Sequence, residues 1–208
     1  MDYRIDVSGG EPDFLGAQAH ARRRLETELP AWLLYHDLEH TVGLVAPAAA
    51  LLADDVGLDS VGRGLVVTAA WFHDIGFVER YDENEVVALR VAREALPGFG
   101  FTPEQVEAVV VAIWATRIPQ EPDSLLAEVL CDADLFVLGV DRFTEREVAL
   151  REELELTGVV ETDDEWNARQ LRFLEEHRYF TDAARRRNDA GKEQNVAMVR
   201  SRLAAAPG

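Results

Sequence analysis

Residues 102–116 carry the feature that most narrows what this chain can fold into. Thr102-Pro103-Glu104-Gln105 reads as a capping box with proline in the first helical turn, and Val106, Val109, Val110 and Ile113 follow at helical spacing. The same grammar recurs: Thr162-Asp163-Asp164-Glu165 opens a helix carrying Trp166, Leu171 and Leu174, and Gly158 closes the acidic helix before it. Further helices are expected over about 12–28, 37–54, 59–73, 84–96, 122–131, 141–156 and 182–203. The β-branched runs Val66-Val67-Thr68 and Val109-Val110-Val111 lie inside longer helical periods and never settle into alternation, so strands are not expected. No repeat, low-complexity tract or linker divides the 208 residues, and one core can serve a chain of that length. The expected fold class is all-α, a single helical bundle.

Charge excludes some partners. Asp plus Glu number 39 against 21 Lys plus Arg, a formal net charge of −18, whereas long nucleic acids are bound largely by neutralising phosphates with basic side chains. No apolar stretch approaches the roughly 20 residues of a membrane span, and the segment Met1–Asp6 lacks the basic-then-apolar order of a signal peptide. A cytoplasmic protein is expected. Cys131, the single cysteine, cannot form an internal disulfide and reads as a small buried hydrophobe.

Candidate chemistry gathers in two apolar stretches. In Trp71-Phe72-His73-Asp74-Ile75-Gly76 an imidazole and a carboxylate sit side by side at a helix end, where Gly76 reads as the stop. Neighbours on a helix diverge by about 100°, so the pair can serve one ion only where the helix ends or where the ion sits between the two side chains. In Leu130-Cys131-Asp132-Ala133-Asp134-Leu135 two carboxylates interrupt an apolar run; burying them unpaired is costly, so a helix cap or a cation is expected to answer them.

With His40 in Tyr35-His36-Asp37-Leu38-Glu39-His40-Thr41, these pieces resemble the HD superfamily of metal-dependent phosphohydrolases. The resemblance runs over roughly residues 30 to 200 and takes in Asp82-Glu83-Asn84-Glu85, Ile113-Trp114-Ala115-Thr116-Arg117, Leu138-Gly139 and His177-Arg178-Tyr179-Phe180-Thr181, as in a subgroup of predicted HD phosphohydrolases. It implies His40, His73, Asp74 and Asp134 as ligands of one divalent metal, Mn, Fe, Co, Ni or Mg, because no histidine lies between His73 and His177 to hold a second. The implied reaction is hydrolysis of a phosphate ester, such as a nucleotide or other small phosphorylated metabolite, by a metal-activated water. Asp74 would also orient that water, and Glu85 is the candidate acid or base, with Glu83 as its substitute. Arg117 is the candidate phosphate binder, beside Thr116, His36 and His177. The run Arg185-Arg186-Arg187 with Lys192 reads first as a solvated helix face.

Two rival readings accompany it. A non-catalytic HD-like scaffold would sense a nucleotide or bind a protein partner. His36-Asp37-Leu38-Glu39-His40 also fits the H-x-x-E-H pattern of inverted zinc peptidases, a reading that leaves His73, Asp74 and Asp134 without a role. The apolar helical faces allow a homodimer.

Acid excess with Lys192 as the single lysine points to a cytosol where high salt screens self-repulsion; a GC-rich genome favours the same residues without regard to salt. Under the first reading the unfolding midpoint rises between low salt and molar KCl, and a flat midpoint removes it.

Overall fold

The computed structural model describes residues 11–205, so the Met1–Asp6 segment read for export signals lies outside the described residues. All its regular structure is helical: α1 (Phe14–Glu28), α2 (Ala46–Asp55), α3 (Ser60–Phe72), α4 (Asn84–Ala95), α5 (Pro103–Ala115), α6 (Leu125–Asp134), α7 (Phe143–Leu156), α8 (Asp163–Glu176) and α9 (Asp182–Ala205), with short 3-10 turns between several of them. The all-α bundle expected from the periodicity is the fold observed. Both capping boxes form: Gln105 and Glu165 accept from the backbone N–H of Thr102 and Thr162, whose hydroxyls accept in return. Gly158 takes the positive φ of 95° that ends α7. No helix among the described residues is long and apolar enough to cross a membrane.

The centre is α3. Leu65 to Ala70 are buried without interruption, and a helix apolar on every side must be surrounded. It is packed by α1, α2, α5 and α6. That main core holds Phe72, Leu52, Ile113 and Leu130, while Leu135, Val137, Leu138, Phe143, Leu174 and Val199 form a second, smaller one under α7, α8 and α9.

Three local departures from the sequence expectation matter. The segment expected as one helix over 37–54 begins as a wide π-type turn, His40–Val45, before α2. Pro47 has no N–H for the carbonyl one turn back, and π-turns of this kind often mark functional positions. The helix expected to end at 131 continues to Asp134. Two residues along a helix turn by about 200°, so Asp132 and Asp134 leave α6 on opposite sides. Finally, Gly76 does not stop α3, which ends at Phe72. Gly76 lies in a following 3-10 turn, where a Cβ would come within 1.8 Å of the Asn84 carbonyl oxygen. The glycine lets the start of α4 close onto the His73-Asp74 corner.

A second close approach joins α9 to the 3-10 turn Phe136–Gly139: a Cβ on Gly191 would sit 2.0 Å from the Gly139 carbonyl oxygen. Backbone cannot yield as a flexible side chain does, so Gly191→Ala is expected to cost about 3 kcal/mol or more. Urea unfolding of the variant against wild type measures that loss.

Candidate functional site

Two imidazoles meet in the bundle. His40 starts the π-type turn and His73 caps the end of α3, each only 2% exposed, and their Nε2 atoms lie 3.4 Å apart. Asp74 Oδ2 stands 3.1 Å from His73 Nε2 and 3.4 Å from His40 Nε2. Asp134 Oδ1, from the last turn of α6, stands 3.2 Å from His40 Nε2 and 3.5 Å from His73 Nε2. One donor atom each from His40, His73 and Asp74 fall within 4.8 Å of one another, and Asp134 joins this compact trio through its approach to both imidazoles.

The donor chemistry fits a divalent cation. His73 Nδ1 lies 2.7 Å from the Ala70 carbonyl, which can only accept, so Nδ1 carries the hydrogen and Nε2 turns a lone pair toward the cluster. Asp74 Oδ2 is buried with no hydrogen-bond partner among the described residues. Lone pairs converging on one point repel unless a positive charge stands between them. Donors about 2.1 Å from a shared cation are spaced about 3.0 to 3.4 Å apart when neighbours in octahedral or tetrahedral arrangement, and each pair that includes an imidazole lies at 3.1 to 3.5 Å here.

Without such an ion, a proton on His73 supplies positive charge. Burial by itself would lower the pKa of His73, but Asp74 and Asp134 raise it well above the usual value. Burial would raise both carboxyls, yet His73 and the other imidazoles hold Asp74 below the usual carboxylate range, and His40 with His73 do the same to Asp134.

A cavity of about 330 Å³ opens beside the cluster, lined by Asp74 and Asp134 at one side and by α7 and α8 at the other. Its apolar lining includes Leu135, Leu138 and Phe143 of the smaller core together with Phe77. His36, Glu85 and Thr116 also face it. The Thr116 hydroxyl donates to the Ile113 carbonyl at 2.8 Å, so its proton is already committed and it meets a ligand as an acceptor.

Other expected site residues lie elsewhere. Arg117 is exposed and stacks over Trp114 at 4.0 Å, outside the cavity lining. Glu83 is turned outward at a φ of 52° and pairs with Arg80. His177 is also outside the lining; its carbonyl accepts from Lys192 Nζ at 2.6 Å. Arg185 and Arg187 are bound to Asp182 and Asp55 on the surface. Glu39, which the peptidase pattern needs at the metal, is half exposed and pairs with Arg142 at 2.6 Å. Asp132 answers its own burial by accepting from Phe180 N, Thr181 N and the Thr181 hydroxyl, as an acceptor for the start of α9.

Helix α7 brings residues that the sequence reading passed over. Glu153, fully buried, accepts from Tyr35 N at 2.7 Å, His36 N at 3.0 Å and the Tyr81 hydroxyl at 3.2 Å, and its Oε1 lies 2.5 Å from His36 Nδ1. Arg146 binds Asp37, which also accepts from His40 N, and the Tyr35 carbonyl. Together they hold the irregular segment that delivers His36 and His40. A signal was present: Phe143, Arg146, Glu147, Leu150, Glu153 and Leu154 repeat at the spacing of one helix face, so the charged members occupy inward positions.

No family model matches the chain, and no curated protein matches it. Among solved structures it is similar to Bacillus subtilis YpgQ in complex with ADP, at 22% identity and a TM-score of 0.67, covering 94% of this chain and 98% of that one. At that identity the likeness concerns the fold.

His177 makes a pH signature measurable. Burial, then the Lys192 and Arg178 charges, lower its pKa from 6.5 to about 4. Between these values the unfolded chain takes up a proton that the folded chain refuses, so this group removes stability as pH falls from 6.5 toward 4. The melting temperature of His177→Gln is expected to fall less than that of wild type between pH 7 and pH 5.

Proposed function

We propose that this chain is a metal-dependent phosphohydrolase, a single HD-type domain over 1–208 with its core at about 30–200, acting on a nucleotide or similar small phosphorylated substrate. One observation carries the reading: two carboxylate oxygens each lie 3.1 to 3.5 Å from two imidazole nitrogens that are themselves 3.4 Å apart, at the wall of a cavity large enough for a small ligand. The nucleotide comes from the ADP complex of the similar Bacillus subtilis YpgQ structure.

His40, His73, Asp74 and Asp134 would hold one divalent ion. Such an ion supplies Lewis acidity, neutralising phosphate charge and lowering the pKa of water. The chain's own groups do the rest. Asp74 orients the attacking water through a carboxylate oxygen. Glu85, on the cavity wall, takes or returns the proton. His36 has Nδ1 engaged by Glu153, which leaves Nε2 to donate to a phosphoryl or leaving-group oxygen. Arg146 adds a buried positive charge beside an otherwise acidic site, the task first assigned to Arg117. Glu153 and Arg146 act as positioning residues for the segment carrying His36 and His40.

The test is metal analysis of the purified chain, then phosphate and pyrophosphate release from a nucleotide panel. Bound divalent metal is expected near one per chain, and His73→Ala and Asp134→Ala are expected to lose it. Asp74→Ala is expected to reduce turnover at least about 1,000-fold. Nucleotide binding without turnover in metal-loaded wild type would establish the scaffold instead, and equal release by Asp74→Ala would place the activity outside this site.

A further inference from the structure

The side of the cavity opposite the cluster has its own polar equipment. Glu147, on α7, is 5% exposed and lines the cavity. Its Oε1 accepts from Trp166 Nε1 at 3.2 Å and from Arg202 at 2.6 Å, while Oε2 is buried with no partner among the described residues. A buried carboxylate oxygen left unpaired is costly, and the two donors on Oε1 fix the direction in which Oε2 points. Beside it on α8, Gln170 is 7% exposed and lines the same cavity, and its amide makes no hydrogen bond to another described residue. Between these groups and the cluster the walls are apolar and partly aromatic: Phe143, Leu150, Leu154 and Phe173. None of these groups is needed by the hydrolytic chemistry.

We infer that Glu147 and Gln170 form a base-reading subsite that selects nucleotides whose base carries an exocyclic amine. The inference rests on the nucleotide phosphohydrolase reading of the same cavity. A carboxylate oxygen has no hydrogen to give, so Glu147 Oε2 rewards an N–H donor and repels a carbonyl oxygen. Adenine, cytosine and guanine carry an exocyclic amine; uracil and thymine carry exocyclic oxo groups and no amine. The flat apolar walls suit an aromatic ring, and the Gln170 amide offers both a donor and an acceptor for the remaining ring edge. The phosphates then lie toward Asp74 and Asp134, and the base lies between α7 and α8.

Isothermal titration of the Mn²⁺-loaded full chain tests this with three probes: ADP, purine riboside 5′-diphosphate, and pyrophosphate. The second lacks the amine and any ring N–H, and the third reports the metal side alone. Wild type is expected to bind ADP at least about tenfold more tightly than the amine-free analogue, the worth of one buried hydrogen bond to a charged acceptor. In Glu147→Gln the amide oxygen must still face Trp166 and Arg202, which turns the NH2 toward the ligand, so the preference for ADP is expected to vanish or reverse. Should that variant fail to fold, Gln170→Ala is expected to weaken ADP at least about threefold and leave pyrophosphate unchanged. Pyrophosphate binding with no discrimination between ADP and its analogue by wild type overturns the subsite and leaves the phosphohydrolase reading standing. No binding of any probe overturns both.

Discussion

Two imidazoles and two carboxylates approach one another inside a bundle whose core is mostly apolar, and burying them together requires their charges to be compensated. His40 and His73 are 2% exposed, so water does little of the solvation. Without an ion, the raised pKa of His73 and the lowered pKa values of both carboxyls favour a charged imidazolium at His73 beside ionised Asp74 and Asp134. A divalent ion would take over that balancing and release the His73 proton, which couples occupancy of the site to the stability of the fold.

That compensation works only if the four groups are delivered from separate elements to one place, and each delivery has a local cause. The abrupt end of α3 lets adjacent residues His73 and Asp74 face the same point. Gly76 allows the start of α4 to close on that corner. The extra turn of α6 sends Asp134 one way and Asp132 the other, so one carboxylate faces the imidazoles while its neighbour satisfies the start of α9. His40 rides on an irregular segment that has no regular hydrogen-bond ladder ahead of it. Glu153 and Arg146 supply the missing partners from α7. The smaller core is thus more than packing: it carries the helix that holds the histidine segment, and it walls the cavity with Phe143 and Leu138.

The placement of positive charge follows from the same arrangement. The chain carries a net charge of −18, yet a guanidinium, Arg146, is buried at the cavity with Asp37 as its counter-ion. Arg117, the nearest basic residue to the apolar core by sequence, instead lies over Trp114 at the surface. Phosphate affinity in so acidic a protein would therefore come from a few desolvated groups, where charge is weakly screened, and not from the mean field.

Helix identity and most helix limits were legible in the sequence, because capping, periodicity and glycine at positive φ act over a few residues. Thr102-Gln105, Thr162-Glu165 and Gly158 each form the feature their spacing announced. The order of His40, His73-Asp74 and Asp134 was readable as a resemblance to the HD superfamily, whereas the apolar stretch around Asp132 and Asp134 by itself asked only for some partner. What tertiary structure alone decided is which partner each one met. Asp132 and Asp134 are chemically alike and two residues apart, and only the course of α9 and of the His40 segment tells a helix-start acceptor from a member of the cluster. Glu147 and Glu153 look like solvent-facing members of an acidic helix until α7 is set against the Tyr35–His40 segment and α8. Local propensity is written in neighbouring residues, whereas the environment of a charge is set by segments more than a hundred positions away, and no rule of spacing along the chain contains that distance.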